Sequence, residues 1–261
     1  MAPKLGMGLY GDPDLTNGFN DANLQFARQL GCTHVTLHLP GPKLCPNEDG
    51  IWKVADLIKC REQAAVHGLV LFAIENFEPQ HWYKVLLGLP GKEVQMENLK
   101  TIVRNLGAAG IPCMGYLFAL TGVYGHTTVG VRGGAQSVSV LEDHVPNPRG
   151  LGQEDGQTLR RGNGDLGLPL PKGEVWDRIV DVEAFASGEP QSATEAEMWE
   201  RFAYYLHELV PVAEEAGVRL AAHPDDPPVP VLRGVSKLIY VGAILTTLCS
   251  SCISSDRCCD I

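Results

Sequence analysis

The chain has 261 residues, of which 44% are hydrophobic and 20% are charged, a size and composition typical of one soluble globular domain. Its formal net charge of −10 argues against a nucleic-acid partner, because binding to a phosphate backbone requires clustered Lys and Arg that release counterions. The amino-terminal stretch MAPKLGMGLYGD contains no apolar run of signal-peptide length, so we expect a cytoplasmic location without membrane contact.

A helix, a glycine and a short apolar strand recur in this order along the chain. Gly31, Gly68, Gly110 and Gly217 each follow a helical stretch, where glycine adopts the left-handed conformation that ends a helix without a Cβ penalty. The strands are apolar at nearly every position, which is typical of a parallel sheet with both faces covered. In chain order, the predicted elements are strand 5–10, helix 22–30, strand 34–39, helix 54–67, strand 70–75, helix 93–109, strand 113–118, helix 195–216 and strand 218–223.

Alternating strands and helices fit either an open doubly wound sheet or a closed (β/α)8 barrel. The first strand–helix turn, LYGDPDLTNGFND, contains no G-x-G-x-x-G phosphate fingerprint, so we predict an α/β fold of the TIM-barrel type. About five of the eight βα units of such a barrel are recognisable. Residues 1–240 would form this incomplete barrel, and a Gly- and Pro-rich insertion at 121–193 would follow the fourth strand, where barrel loops cover the site.

The side chains that end the strands of a βα barrel converge on one rim. In chain order, the polar or aromatic residues at or just after the strand ends are Tyr10, His38, Glu75, Tyr116, His223, Asp225 and Asp226. Two imidazoles and a carboxylate on one rim suit a divalent metal ion. They equally suit proton transfer beside a carbonyl or hydroxyl group.

Each rim residue also has a purely structural interpretation. His38 could be a hydrogen-bonded core residue, Glu75 an interior ion-pair partner, and the two tyrosines packing residues with satisfied hydroxyls. The two aspartates could cap the following loop through Asx-type hydrogen bonds. For His223 the flanking prolines favour a site residue, because they fix the backbone where a site needs rigidity.

The insertion contains two further candidate residues in the segment GVYGHTTVGVRGGAQS. Arg132 stands beside two glycines, so its guanidinium group could bind a substrate carboxylate while the backbone approaches closely. The alternative is a solvated loop arginine. His126 is the titratable group of the same segment and a candidate for acid–base chemistry.

Four segments resemble the mannonate dehydratases, a family of xylose-isomerase-like barrels: EEAGVRLAAHPDDPPVPVLRG, NLGAAGIPCMGY, GVRGGAQSV and FARQLGCTHVTLHLP. The resemblance extends from about residue 4 to about Tyr240. It implies a lyase that converts the sugar acid D-mannonate into 2-keto-3-deoxy-D-gluconate and water, in hexuronate (glucuronate) breakdown. It also implies Mn²⁺ or Fe²⁺ as the cofactor, and a homo-oligomer is compatible with it.

The resemblance implies that His223 corresponds to a metal-ligand histidine at the end of a barrel strand. The predicted catalytic residues are His126 and Tyr116, and the predicted substrate-binding residues are Arg132, His38 and Glu75. A related metal-dependent sugar isomerase or epimerase is the alternative activity. The product formed from D-mannonate would distinguish the two.

This sequence departs from the family pattern at two places. Tyr116-Leu117-Phe118 stands where the family commonly has Tyr-Asn-Phe, which removes an amide. The family segments that supply a Cys, a second His and an Asp to the metal are absent here, as are the H-F-R-N and P-D-H segments. The sequence therefore also fits a truncated, non-catalytic fragment that lacks most of the metal ligands.

The segment 241–261, VGAILTTLCSSCISSDRCCDI, resembles nothing in the family, and we expect it to be disordered. Its cysteine spacing is poor for a zinc site, and its apolar run is short for a membrane anchor. The final CCDI lacks the aliphatic residue that a prenylation box needs at Asp260. We interpret this segment as translated noise after a frameshift, a misplaced splice or a pseudogene event that cut the gene product short.

Overall fold

The computed structural model describes residues 4–46, 49–121, 126–140, 169–170, 174–175, 178–179, 192–232 and 234–240. Most of the predicted barrel region 1–240 is therefore covered. The segment 241–261 and a large part of the insertion 121–193 lie outside the described residues.

Five parallel strands form the main sheet. Their bounds are Gly6–Tyr10 (β1), His34–His38 (β2), Val70–Glu75 (β3), Cys113–Tyr116 (β4) and Arg219–Ala222 (β10). Neighbouring strands are paired in the order β1, β2, β3, β4, β10, which follows the chain, as in a βα barrel. This confirms the five predicted strands and their parallel arrangement. Over the described residues the sheet stays open and does not close into a barrel.

Five helices connect these strands. Their bounds are Asp21–Gln29 (α1), Val54–Val66 (α2), Pro79–Leu87 (α3), Lys92–Ala108 (α4) and Glu195–Ala216 (α5). Helices α1, α2, α4 and α5 were predicted, and α3 is additional. None of the described helices combines the length and the hydrophobicity that crossing a bilayer requires.

Helix α3 was missed because a proline and a glycine frame it, and their sequence pattern favours a loop. Pro79 occupies the first turn, where the missing N–H of proline has no intrahelical partner to lose. The Glu78 N–H donates to His81 Nδ1 at 3.2 Å. Gly88 ends the helix with a φ of 70°. Trp82 is buried, so burial of this short helix against the core stabilises it.

The helices cover one face of the sheet and form the hydrophobic core with it. Leu9, Val35 and Leu37 are fully buried on the strands, as are Phe202 and Tyr205 on α5. Side chains alternate between the two faces of a strand, and the residues that alternate with these are exposed or half-buried. The sequence predicted that both faces of the sheet are covered, whereas among the described residues the helices cover one face. We call the other side the open face.

Short antiparallel strands lie in the insertion and near the end of the described chain. They are His126–Gly130 (β5), Gln136–Val140 (β6), Pro169–Leu170 (β7), Glu174–Val175 (β8), Arg178–Ile179 (β9), Val231–Leu232 (β11) and Val235–Ser236 (β12). Strands β5 and β6 form a hairpin, and so do β11 and β12. The Ile179 N–H donates to the Leu120 carbonyl at 2.6 Å, which joins the insertion to the chain that follows β4.

Gly107 should be required for the contact between α4 and α5. A Cβ added at Gly107 would overlap the backbone oxygen of Ala216, so Gly107→Ala should lower the free energy of unfolding by about 1–3 kcal/mol through overpacking, although alanine favours a helix. The control is Gly8→Ala, because a Cβ at Gly8 meets nothing within 4 Å. Urea unfolding followed by circular dichroism measures both variants. Equal stability of the two would contradict the close contact.

Candidate active site at the carboxyl ends of the strands

Tyr10, His38 and Glu75 lie side by side at the carboxyl ends of β1, β2 and β3. The parallel register pairs Tyr10 with His38 and His38 with Glu75. The ring centroids of Tyr10 and His38 are 4.8 Å apart, and His38 Nδ1 lies 3.6 Å from Glu75 Oε1. All three side chains are partly accessible on the open face. The structure therefore brings these predicted rim residues together.

The Glu75 carboxylate orients the His38 imidazole. Its interaction with His38 is the largest cause of a Glu75 pKa below the ordinary value of 4.5, and the charges of His38 and His223 lower the pKa further. Glu75 is therefore ionised at neutral pH and attracts the Nδ1–H of His38. In the neutral ring this leaves the lone pair on His38 Nε2, which can accept a proton or a hydrogen bond.

His223 continues the sheet ladder beyond the last residue of β10. Its N–H donates to the Tyr116 carbonyl at 2.8 Å, and its Nδ1 lies within hydrogen-bond distance of the Pro224 carbonyl. A carbonyl oxygen can only accept, so this contact favours the tautomer with the hydrogen on Nδ1 and the lone pair on Nε2. This geometry presents Nε2 as a ligand or proton acceptor. The half-buried ring acts electrostatically on Glu75, in agreement with a position on the same rim.

Asp225 and Lys237 are buried behind the His223 loop. Asp225 Oδ2 accepts the N–H groups of Leu238 at 3.0 Å and Ile239 at 2.6 Å, so it bonds a distant segment and not its own loop as an Asx cap would. Burial raises the Asp225 pKa and lowers the Lys237 pKa to about 8. Lys237 was not singled out in the sequence, because nothing in SKLIY distinguishes a buried lysine from an exposed one.

The prediction that the Tyr116 side chain lies on the rim is wrong. Its side chain is 4% exposed, and its ring centroid lies 5.1 Å from that of Tyr205 and 6.2 Å from that of Phe202 on α5. Gly115 occupies the β4 position that pairs with Glu75, so Tyr116, one residue later, faces the helices. The packing interpretation of Tyr116 is correct, and its contribution to the rim is the carbonyl that accepts the His223 N–H.

The two candidates from the insertion lie on the β5–β6 hairpin. His126 is the first residue of β5 and pairs with Val140, and its side chain lies outside the described residues. Arg132 is exposed in the turn Arg132–Gly134, and Val131 beside it is 43% exposed. This position matches the solvated-loop interpretation of Arg132. Its contact with substrate stays a prediction.

The backbone turns left-handed directly after two of the rim residues. Leu39 has a φ of 47° and Asn76 a φ of 65°, a conformation that non-glycine residues adopt at a cost and that clusters at functional sites. The N–H of Leu39 donates to the Glu75 carbonyl and that of Asn76 to the Gly115 carbonyl, both at 2.8 Å. These bonds extend the ladder past His38 and Glu75. The sequence carries no signal of this at Leu39, although asparagine tolerates the conformation.

The described residues do not fit a complete metal site. Within the described ranges, no three His, Cys, Asp or Glu side chains lie close enough together to hold one ion. His223 remains a predicted ligand, with Nε2 available, but Mn²⁺ or Fe²⁺ bound by protein alone needs several N or O donors.

The strand order, the helices on one face and the polar carboxyl-end rim define a protein of the (β/α)8-barrel class. The crystal structure of mannonate dehydratase from Streptococcus suis serotype 2 matches with a TM-score of 0.68 and 20% identity, covering 96% of this chain and 61% of that chain. This likeness shows that the two proteins share a fold. The profile of the D-mannonate dehydratase (UxuA) family matches residues 20–256. The chain therefore belongs to the D-mannonate dehydratase family, which is a family of lyases.

Relatives in this family are considerably longer than the part they share with this chain. Mannonate dehydratases from Shouchella clausii and Thermotoga petrophila are 29% and 30% identical over 182 and 215 residues. These alignments cover 68% and 77% of this chain but 48% and 58% of the relatives. The chain thus spans about half the length of the curated relatives that it matches.

Replacement of Glu75 should destabilise the protein in a pH-dependent way. Because the pKa of Glu75 is lower in the folded state, the unfolded state binds more protons at pH values between the two pKa values. The stabilisation is therefore fully present above a pH of about 4.5 and is lost as the pH falls through the folded-state pKa. Glu75→Gln should therefore lose about 1 kcal/mol or less at neutral pH and match the wild type in acid. Urea unfolding across this pH range measures the difference.

The control for this experiment is Glu62→Gln, which removes an exposed carboxylate on α2. This variant should show no comparable pH dependence relative to the wild type. A stability deficit of Glu75→Gln that stays constant down to acid pH would show that the ion pair with His38 does not cause it.

Proposed function

We propose that this chain carries five strands of the barrel, the helices that connect them and part of the active-site rim of an enzyme that dehydrates D-mannonate to 2-keto-3-deoxy-D-gluconate and water, in hexuronate breakdown. The observation that carries the proposal is His223, presented by the HPDDPP segment on the carboxyl-end rim that also holds Glu75, in a chain of the D-mannonate dehydratase family. A small sugar acid is the partner that this function implies.

The reaction removes a proton from the carbon next to the carboxylate and a hydroxyl group from the following carbon. It therefore needs a proton acceptor for the first bond and a proton donor for the leaving hydroxyl. His38, whose Nδ1 lies 3.6 Å from Glu75 Oε1, has the arrangement of such a proton acceptor. Tyr10 packs against the same ring, with the two ring planes tilted by 32°, and carries a hydroxyl that can bond a sugar oxygen.

Mn²⁺ or Fe²⁺ belongs to the proposal as a cofactor with His223 Nε2 as one ligand. Such an ion would act as a Lewis acid on substrate oxygens. Because the described residues do not bring three donors together, we derive no step of the reaction from the ion. The same observation favours a second candidate, a fragment that does not catalyse the reaction by itself.

The location and assembly of the protein belong to the same proposal. Cys32, Cys45, Cys60 and Cys113 are buried free thiols in the part of the chain that the structure describes, and reduced thiols support a cytoplasmic location. Assembly into a homo-oligomer is compatible with the resemblance to the family. Sedimentation of the purified chain measures the oligomeric state directly.

The activity can be tested with the purified chain, D-mannonate and a high concentration of Mn²⁺. The expected product is a 2-keto-3-deoxy acid, detected by NMR, and His223→Ala should abolish its formation. The matched control is His207→Ala, which removes a histidine that is 88% exposed on α5. A ketose or an epimer would support the isomerase alternative, and no conversion in the wild type would support the non-catalytic fragment.

Binding of Mn²⁺ should be weak compared with a site of several protein ligands, because a single imidazole supplies little of the required coordination. His223→Ala should remove this weak binding, and His207→Ala should not. Electron paramagnetic resonance of free Mn²⁺ during a titration gives the affinity and the stoichiometry. Tight binding of one ion per chain that depends on His223 would show that the missing donors are present outside the described residues.

A further inference from the structure

Two segments of the chain are joined behind His223 by buried polar contacts. The first follows β10 and contains Asp225, and the second follows β12 and contains Leu238 and Ile239. The Asp225 N–H donates to the Ile239 carbonyl at 2.8 Å, while Asp225 Oδ2 accepts two N–H groups from the second segment at 3.0 and 2.6 Å. Asp225 is 4% exposed, so these bonds lie within the protein and not in solvent.

Lys237 lies in the second segment and adds further contacts to the first. Its side chain is 2% exposed, its Nζ donates to the Asp226 carbonyl at 2.8 Å, and its N–H donates to the Pro230 carbonyl at 3.0 Å. A buried ammonium group is costly unless opposite charge compensates it, and here Asp225 and Asp226 supply that charge. We call Asp225, Lys237, Leu238 and Ile239, with the Asp226 carbonyl, the bracket.

The bracket is also fixed to the start of α5. The Ala193 N–H donates to the Gly234 carbonyl at 3.3 Å, and the Ser236 N–H donates to the Ala193 carbonyl at 2.9 Å. Ala193 is buried and directly precedes Thr194, whose side chain caps α5. These two bonds attach the chain directly before the second segment to the start of a long packed helix.

The first segment connects the bracket to the His223 ring. Pro224 is the residue between His223 and Asp225, and its carbonyl is the acceptor for His223 Nδ1. On one side of Pro224, the His223 N–H is bonded to the Tyr116 carbonyl. On the other side, Asp225 is bonded to Ile239. These bonds together fix the position of the Pro224 carbonyl. The acceptor in turn decides which ring nitrogen carries the hydrogen and where Nε2 points.

We propose that Lys237 and Asp225 are positioning residues for His223: the bracket holds the Pro224 carbonyl so that the neutral ring carries its hydrogen on Nδ1 and presents Nε2 to the rim. This inference deepens the proposed function, on which it rests, because that function uses Nε2 of His223. A merely structural role would affect unfolding but not the choice of tautomer in the folded protein.

The test measures the tautomer of His223 by ¹⁵N NMR of the metal-free, histidine-labelled chain, at a pH where the ring is neutral. The signals are assigned by their loss in His223→Gln. The wild type should show the hydrogen on Nδ1. In Lys237→Met and Asp225→Asn this signature should be lost in favour of a mixture of tautomers, and in Lys237→Arg, which keeps the charge and the donors, it should be retained.

Lys100→Met is the matched control, because Lys100 is a partly buried lysine that bonds Glu97 and Glu208 away from this loop. Circular dichroism and urea unfolding are recorded for every variant. Loss of the Nδ1–H signature in Lys100→Met as well would overturn the inference, since the effect would then follow general destabilisation. A folded Lys237→Met or Asp225→Asn with the wild-type tautomer would overturn it too.

If Lys237→Met does not fold, Asp225→Asn and Lys237→Arg decide the question by the same signature. A wild type without a hydrogen on Nδ1 would also overturn the inference. Failure of the proposed function is recognised separately: the wild type would then show the Nδ1–H tautomer and its loss in the bracket variants, but no conversion of D-mannonate.

Discussion

Parallel pairing of β1, β2 and β3 is the constraint on which the candidate site depends. These strands run in the same direction, and although the β2–β3 register shifts by one residue between Val35 and Thr36, their last residues are paired. Tyr10, His38 and Glu75 therefore become neighbours on one face although they are far apart in the chain. His223 joins them only because β10 pairs with β4 and the ladder continues one residue further. A slip of one residue in any strand would turn its rim side chain toward the helices.

The elements of the fold that repeat a local pattern could be predicted from the sequence. Glycines after helices and apolar strands each act within a few residues, so they are visible in the sequence and are found in the structure. The rim was predictable to the same extent, since Tyr10, His38 and Glu75 are polar or aromatic residues at the ends of apolar runs. The family resemblance of the HPDDPP segment pointed to His223.

The remainder depended on contacts between distant parts of the chain. In CMGYLF the tyrosine is the residue with a polar group, which led to Tyr116 as the predicted rim residue, whereas Gly115 pairs with Glu75 and Tyr116 faces α5. Helix α3 carries local end signals at Pro79 and Gly88, but its sequence did not show that Trp82 is buried against the core. The burial of Lys237 follows from its bond to Asp226, which is eleven residues away, and sequence composition carries no trace of such a pairing.

The left-handed backbone at Leu39 and Asn76 has a consequence for attempts to change what this rim binds. Libraries designed around the rim would include these two positions, because each directly follows a rim residue. Their φ values are 47° and 65°. Glycine, asparagine and aspartate adopt this conformation with little strain, whereas valine and isoleucine would destabilise the fold at either position. Diversity for a new specificity therefore has to come from Tyr10 and from the loops that follow these turns.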